Sequence, residues 1–258
     1  MVLQKLSGSG DFGEYTQRSS TEAEIDASLR MKWETLLPGF GSKAWQWDQL
    51  FLLKRQVLSR LLHFDHLYRL MMPVQGCVLE MGNQWGAGLA TLINLRAIYE
   101  PYNYARRVIG FDTFSGFSDL DGQDGAQHRK GDFGVPLGWQ EELSSVLELH
   151  EANAPLSHIK KFELIAGDAS DTVPRWLEDN PGALVSMAIF DMDVYRPTRD
   201  ALKAILPRMP KGALLVFDEL NCPHFPGETV ALLETLELRG LRLQANPHQP
   251  FCSWAVIE

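Results

Sequence analysis

Residues Ser186 to Tyr195 read Ser-Met-Ala-Ile-Phe-Asp-Met-Asp-Val-Tyr, an apolar run of strand length that ends abruptly in two carboxylates, Asp191 and Asp193. A near-continuous apolar run marks a strand buried on both faces of a parallel sheet. Ligands of open α/β sheets bind just beyond the carboxyl ends of such strands. A second run, Ala213 to Phe217, ends the same way in Asp218 and Glu219, so two strands are expected to deliver four carboxylates to one rim.

The rest of the chain supplies the companions such strands need. Past Pro73 and Gly76 apolar runs alternate with helical patterns: strands are expected at Cys77 to Glu80, Arg107 to Asp112 and Phe162 to Ala166, ahead of the two runs above. Helices are expected at Leu89 to Tyr99, Gln140 to Ala152, Thr172 to Leu177, Thr198 to Met209 and Glu228 to Leu238. Two last strands, Leu241 to Gln244 and Ser253 to Ile257, are joined by a short loop holding Pro247 and Pro250. Parallel neighbours need a crossover of a dozen or more residues, so this pair must be antiparallel. Five βα units and a terminal hairpin are the element order of an α/β, Rossmann-like Class I methyltransferase sheet of seven strands with an antiparallel last strand. A dinucleotide-binding domain instead has a helical crossover before its sixth strand.

Ahead of that region, residues 1 to about 20 are rich in Gly and Ser and are expected to form a mobile arm. Thr21 to Met31 reads as a short helix. After Pro38-Gly39, an amphipathic stretch from about Trp45 to Met72 carries Leu50, Leu53, Val57, Leu61, Leu62, Leu67 and Leu70 at near-helical spacing. The division is thus an arm and helical cap over residues 1–75 and a sheet domain over 76–258. His63 and His66, three apart on the cap, have a metal-compatible spacing, but the reading as core or surface histidines is preferred.

Composition narrows the chemistry. With 24 Lys and Arg against 33 Asp and Glu, the net charge of -9 argues against a nucleic-acid polymer as partner, because phosphate binding needs a dense basic face. Cys77, Cys222 and Cys252 show neither a CxxC pair nor a zinc-ligand rhythm. No stretch reads as a secretory signal or a membrane span, so a cytoplasmic protein with no membrane partner is expected.

Several residues carry specific chemistry. Glu80-Met-Gly82-Asn-Gln-Trp-Gly86-Ala-Gly88 follows a strand and opens a helix, the context in which a glycine-rich turn lets backbone approach a ligand. Glu80 can accept from a ligand ammonium, and Asp112, ending the second strand, from both hydroxyls of a ribose. Asp168 can accept from an adenine amino group or serve as a helix cap. The four rim acids would repel one another unless a cation sat between them, and oxygen-only ligation suits Mg²⁺ or a similar hard ion. The long loop from Thr113 to about Gly138 holds His128-Arg129-Lys130, a surface run that a diphosphate could meet if the loop closed as a lid.

The segments Val78-Leu-Glu80-Met-Gly82, Gly110-Phe-Asp112-Thr-Phe-Ser-Gly116-Phe, Phe190-Asp191-Met-Asp193-Val-Tyr195-Arg-Pro-Thr198 and Val216-Phe-Asp218-Glu219-Leu-Asn-Cys-Pro together resemble the macrocin O-methyltransferase family. Its members methylate deoxysugars in antibiotic pathways. The resemblance runs from about Pro73 to the C-terminus and is nearest to the branch acting on sugar nucleotides such as TDP-rhamnose. It implies S-adenosylmethionine (SAM), a divalent metal such as Mg²⁺, a small-molecule sugar or sugar-nucleotide substrate, and a homodimer. By position it implies Asp191, Asp218 and Glu219 as metal ligands, Asp191 or Asp193 as base, and Glu80, Gly82, Gly86, Asp112, Thr113 and Asp168 around the cofactor. Glu219 stands where relatives usually have Asp, and Met192 replaces a common Gly.

Two other readings share the sheet. An NAD(P)-dependent oxidoreductase of the short-chain type needs a Tyr-x-x-x-Lys pair, and no tyrosine of this chain has Lys four residues on. A non-catalytic binding module would hold the cofactor without transferring a methyl group.

Overall fold

The computed structural model describes residues 4–5, 15–16, 20–36 and 48–258. The expected arm, the Pro38-Gly39 break and the start of the cap at Trp45 lie largely or wholly outside them. Within the arm, β1 (Gln4–Lys5) pairs antiparallel with β2 (Tyr15–Thr16). The expected Thr21 helix is longer, α1 (Ser20–Leu36). The cap divides into α2 (Asp48–Phe51) and α3 (Arg55–Met71).

The sheet domain follows the expected alternation: β3 (Cys77–Met81), α4 (Ala87–Tyr99), β4 (Val108–Asp112), α5 (Trp139–Ala152), β5 (Phe162–Ala166), α6 (Ala169–Asp179), β6 (Val185–Phe190), α7 (Tyr195–Ile205), β7 (Leu214–Phe217), α8 (Pro226–Thr235), β8 (Gln244–Asn246) and β9 (Gln249–Val256). Spatial order is β5-β4-β3-β6-β7-β9-β8. The first five strands are parallel, and β9 inserts antiparallel between β7 and β8. This is the seven-stranded Class I methyltransferase sheet.

Boundaries moved where side chains outweighed the apolar rhythm. α6 begins three residues before Thr172, because the Asp168 carboxylate caps it by accepting from the Ser170 amide at 2.8 Å. β8 starts at Gln244, where Leu241 was expected, since a 3₁₀ turn occupies Leu238–Gly240. β9 reaches back through Pro250 to Gln249, beside a register shift between Ala245 and Asn246. Pro cannot donate to a ladder, and such an irregularity accommodates it.

Strand alternation splits the core into two layers. Leu79 and Met81, Ala188 and Phe190, Leu215 and Phe217 pack against α6, α7 and α8. Val78, Met187 and Ile189, Leu214 and Val216 pack on the other face against α3, α4 and α5. The cap contributes Phe64, Leu67, Tyr68 and Met71 to that second layer, whereas Leu50, Val57, Leu61, Leu62 and Leu70, expected on the helical stripe, are exposed. His63 is a core histidine beside Asn246, its Nδ1 2.7 Å from the amide nitrogen, and His66 meets the Trp254 ring edge-on.

Arg106 ties cap to sheet. Its guanidinium, almost fully buried, donates to Glu100 Oε2 at 2.9 Å, to the Val74 and Met72 carbonyls at 2.8 and 3.1 Å, and to Ser186 Oγ at 2.8 Å. It thereby fixes the exit of α3 against the start of β6. Arg106→Met takes from Glu100 its cation and from the Val74 and Met72 carbonyls their donor, and is expected to cost about 3–5 kcal/mol, the usual loss for breaking a buried pair. Urea unfolding of the variant against the wild type measures it.

Candidate active site

The chain runs from β3 to β4 on one side and reaches β6 on the other, so the sheet's topological switch point lies between β3 and β6. There the two strand ends touch through backbone. The Asp191 amide donates to the Met81 carbonyl at 2.9 Å, and Gly82 (φ +92°) lies so close to the Asp191 carbonyl that a Cβ would overlap it. A cavity of about 540 Å³ opens above this point, of the size typical for ligand sites.

One side is the glycine-rich turn. Glu80 is buried, and its Oε2 accepts from Asn83 Nδ2 at 2.9 Å. A Cβ at Gly88 would run into the Glu80 carboxylate, so this glycine makes room for the acid. Asn83 Oδ1 is buried without a hydrogen-bond partner. Glu80 and Asn83 both line the cavity and between them have acceptor capacity to spare, as a ligand ammonium requires. Asp112 is set at the end of β4 by accepting from the Gln84 amide at 2.7 Å and the Phe114 amide at 2.6 Å. The paired carboxylate lines the cavity and can still accept from ribose hydroxyls. These groups fit the amino-acid and ribose portions of SAM.

The remaining cofactor positions divide. Gly82 and Asp168 line the cavity, and Asp168 combines the cap on α6 with a hydrogen bond from Ser118. Thr113 lines it too, but its hydroxyl donates to the Gly116 carbonyl at 2.7 Å. Gly86 lies behind the turn, where its φ of +85° opens α4 and a Cβ would strike Leu143.

The rim acids occupy the other side. Ile189 and Val216 face α3, so by alternation Asp191 and Asp218, two residues on, face it too. Arg60 of α3 meets them both: Nη2 donates to Asp191 Oδ2 at 2.9 Å and Nη1 donates to Asp218 Oδ1. The cation expected between the acids is therefore present as a guanidinium. Burial works against the charged guanidinium, yet Asp218 and Asp191 hold its pKa above the ordinary arginine value. Cys252 donates its thiol to Asp218 Oδ1 at 2.9 Å.

Asp193 (φ +64°) lines the cavity and has no ion pair among the described residues. Burial, then Glu219 and Asp218 nearby, raise its pKa well above the ordinary range. Glu219 also lines the cavity, its pKa pushed up to about 7 by burial and by Asp218. Buried Glu228, which the sequence reading passed over, accepts from the Glu219 amide at 3.1 Å and so fixes that turn.

Among the described residues no three His, Cys, Asp or Glu side chains converge into a ready-made metal cage. The donor chemistry nevertheless suits a hard divalent ion: the acids lining the cavity outnumber its one described basic side chain, Arg60. Arg60 is the main residue the sequence reading missed. Its signal was there: Val57, Arg60, Leu61, Phe64, Leu67, Tyr68 and Met71 follow a helical stripe, with a lone cation on a mostly apolar face.

The basic run on the long loop does not act as a unit. His128 is buried, its ring stacked on Phe225 at 4.4 Å, while exposed Lys130 pairs with Asp119 at 3.3 Å. Phe117 and Phe133 of the same loop join Phe225 in an apolar wall of the cavity.

Comparisons with known proteins agree with this fold. No family model matches the chain. A crystal structure described as CalS11, calicheamicin methyltransferase, is 35% identical and superposes with a TM-score of 0.86 over 97% of this chain and 99% of that one. An apo structure described as CalS11, TDP-rhamnose 3'-O-methyltransferase, an enzyme in calicheamicin biosynthesis, is 33% identical, with a TM-score of 0.80 over 93% and 96%. The O-methyltransferase NovP, at 16% identity and a TM-score of 0.59 over 77% and 79%, shares the fold. A curated relative, 8-demethyl-8-(2,3-dimethoxy-α-L-rhamnosyl)-tetracenomycin-C 4'-O-methyltransferase of Streptomyces olivaceus, is 28% identical over 158 residues, which are 57% of this chain and 53% of that protein. The match therefore spans about half the length of that relative.

Crowded acids give the ligand-free protein a pH signature. Burial raises Glu80 from an ordinary value of 4.5 to about 8, and Glu228 is also raised, chiefly by burial. Such groups hold protons in the folded state that the unfolded chain has released, so folding stability is greatest below the unfolded value and falls as pH rises through the folded one. The melting temperature without ligand is expected to be lower at pH 8 than at pH 6 by scanning calorimetry, and Glu228→Gln to flatten part of the slope.

Proposed function

We propose, for a chain that belongs to the SAM-dependent sugar O-methyltransferase family, the transfer of a methyl group from SAM to a hydroxyl of a deoxysugar in antibiotic biosynthesis, assisted by a divalent metal ion such as Mg²⁺. The observation that carries this reading is one cavity at the switch point in which cofactor-side acids, Glu80, Asp112 and Asp168, face the rim acids Asp191, Asp193 and Glu219. A lining rich in carboxyl groups, able to ionise against a bound cation, suits a sulfonium donor.

The residues divide the work. Glu80 and Asn83 receive the amino-acid ammonium, Asp112 the ribose hydroxyls, and Asp168 the adenine end. Asp191, Asp218 and Glu219 are the ligands we assign to the metal, which when bound supplies Lewis acidity that lowers the pKa of a coordinated hydroxyl. Asp193, without an ion pair among the described residues and with its pKa raised by burial, is the base we favour over Asp191, which is committed to Arg60. It takes the hydroxyl proton as the oxygen bonds to the methyl carbon. The carbon–sulfur bond breaks with its electrons staying on sulfur, which leaves S-adenosylhomocysteine. The apolar wall of Phe117, Phe133 and Phe225 keeps water from competing for the methyl group.

The acceptor we favour is a TDP-rhamnose-like sugar nucleotide, on the strength of the relative aligned along nearly the whole chain; a sugar already on its aglycone is the acceptor named for the tetracenomycin relative. Labelled methyl transfer to a panel of TDP-sugars and rhamnosides decides between them. Asp193→Asn is expected to lower kcat by about 10²–10⁴, the usual contribution of general base catalysis, with S-adenosylhomocysteine binding unchanged in calorimetry. Chelation by EDTA should abolish transfer and Mg²⁺ restore it; full activity in excess chelator would sink the role given to the metal.

A further inference from the structure

Arg60 spends its guanidinium on the two acids that a divalent ion would need. Nη2 takes Asp191 Oδ2 at 2.9 Å, Nη1 takes Asp218 Oδ1, and Nη1 also lies 3.4 Å from Cys252 Sγ. Its central carbon sits over the Phe64 ring, 4.9 Å from the centroid, so the side chain is held from below as well as in front. Arg60 takes one oxygen of each carboxylate, and a divalent cation on the same two groups would set two positive centres a few ångströms apart, where they repel.

Arg60 is also not isolated on its helix. Its neighbour Ser59 donates to the His248 carbonyl at 2.9 Å and accepts from Gln249 Nε2 at 2.7 Å, which pins the same turn of α3 to the β8–β9 hairpin. The exposed residues Val57 and Leu58 leave this half of α3 with few packing ties, because its buried residues begin at His63. The contacts of Arg60 and Ser59 thus tie the N-terminal half of the cap helix to the sheet.

We propose that Arg60 is a built-in counter-ion that competes with the divalent metal for Asp191 and Asp218, so that metal entry requires the guanidinium to withdraw and loosens the N-terminal half of α3. The inference rests on the metal reading above. In the absence of metal, Arg60 neutralises acids that would otherwise repel one another. With metal present, the same side chain is released toward the cavity. The cap thereby senses whether the site is loaded.

Mn²⁺ is the probe, and its binding to the full chain is read by electron paramagnetic resonance without any turnover. Arg60→Met should bind Mn²⁺ at least tenfold more tightly than the wild type, and Arg60→Lys, whose ammonium can satisfy one acid but not bridge two, should fall between them. In the wild type, Mn²⁺ should also speed amide hydrogen exchange over residues 55–62, a measurement that stands even if Arg60→Met fails to fold. Equal Mn²⁺ affinity in the folded variants and the wild type overturns the competition while leaving the metal reading intact. Absence of Mn²⁺ binding in all of them, or binding that survives Asp191→Asn, overturns both.

Discussion

Negative charge gathered at the carboxyl end of a parallel sheet must be balanced from somewhere, and in this protein the balance crosses from one layer to another. Strand parity sends Asp191 and Asp218 to the face that α3 covers, and α3 answers with Arg60. Without that placement the first turn of the site would set buried carboxylates against one another in a medium of low polarisability, where repulsion is strong. Burial dominates all the same: Glu80, Asp191, Asp193, Glu219 and Glu228 are all pushed toward their protonated forms. One guanidinium thus offsets, at Asp191, part of what burial and the neighbouring carboxylates do.

The same sheet gives the two halves of the reaction their common address. β3 ends in the turn that holds Glu80 and Asn83, β4 ends in Asp112, β6 in Asp191 and β7 in Asp218 and Glu219. Because the chain reverses its direction of travel across the sheet between β3 and β6, these ends open onto one space and are not covered by a crossover helix. Function here follows from order of strands before it follows from any single side chain.

Much of this was legible in the sequence because strands buried on both faces are written as plain apolar runs. β3, β4, β6 and β7 announced themselves, and the acids after them could be placed on a rim before any coordinates. Element ends were less legible: the start of α6 depends on a cap by Asp168, and the hairpin of β8 and β9 on a register shift that lets Pro250 into a strand. Arg60 was missed for a different reason. A periodicity count that looks for leucines passes over the one residue of the stripe that is not apolar, and picked Leu62 and Leu70, which solvent reaches. Long-range pairing between residue 60 and residues 191 and 218 is written nowhere locally. Only the fold brings them together.

The contact between Gly88 and Glu80 has a consequence for how such a chain can drift. The glycine opens no turn of its own and lies within α4, where alanine would serve the helix better by about 1 kcal/mol. It is kept small by the carboxylate that leans over it from β3. Positions 80 and 88 are therefore tied: a side chain can be gained at 88 only as the acid at 80 is shortened or lost, and a lineage that gives up the acid is free to fill the space with a methyl.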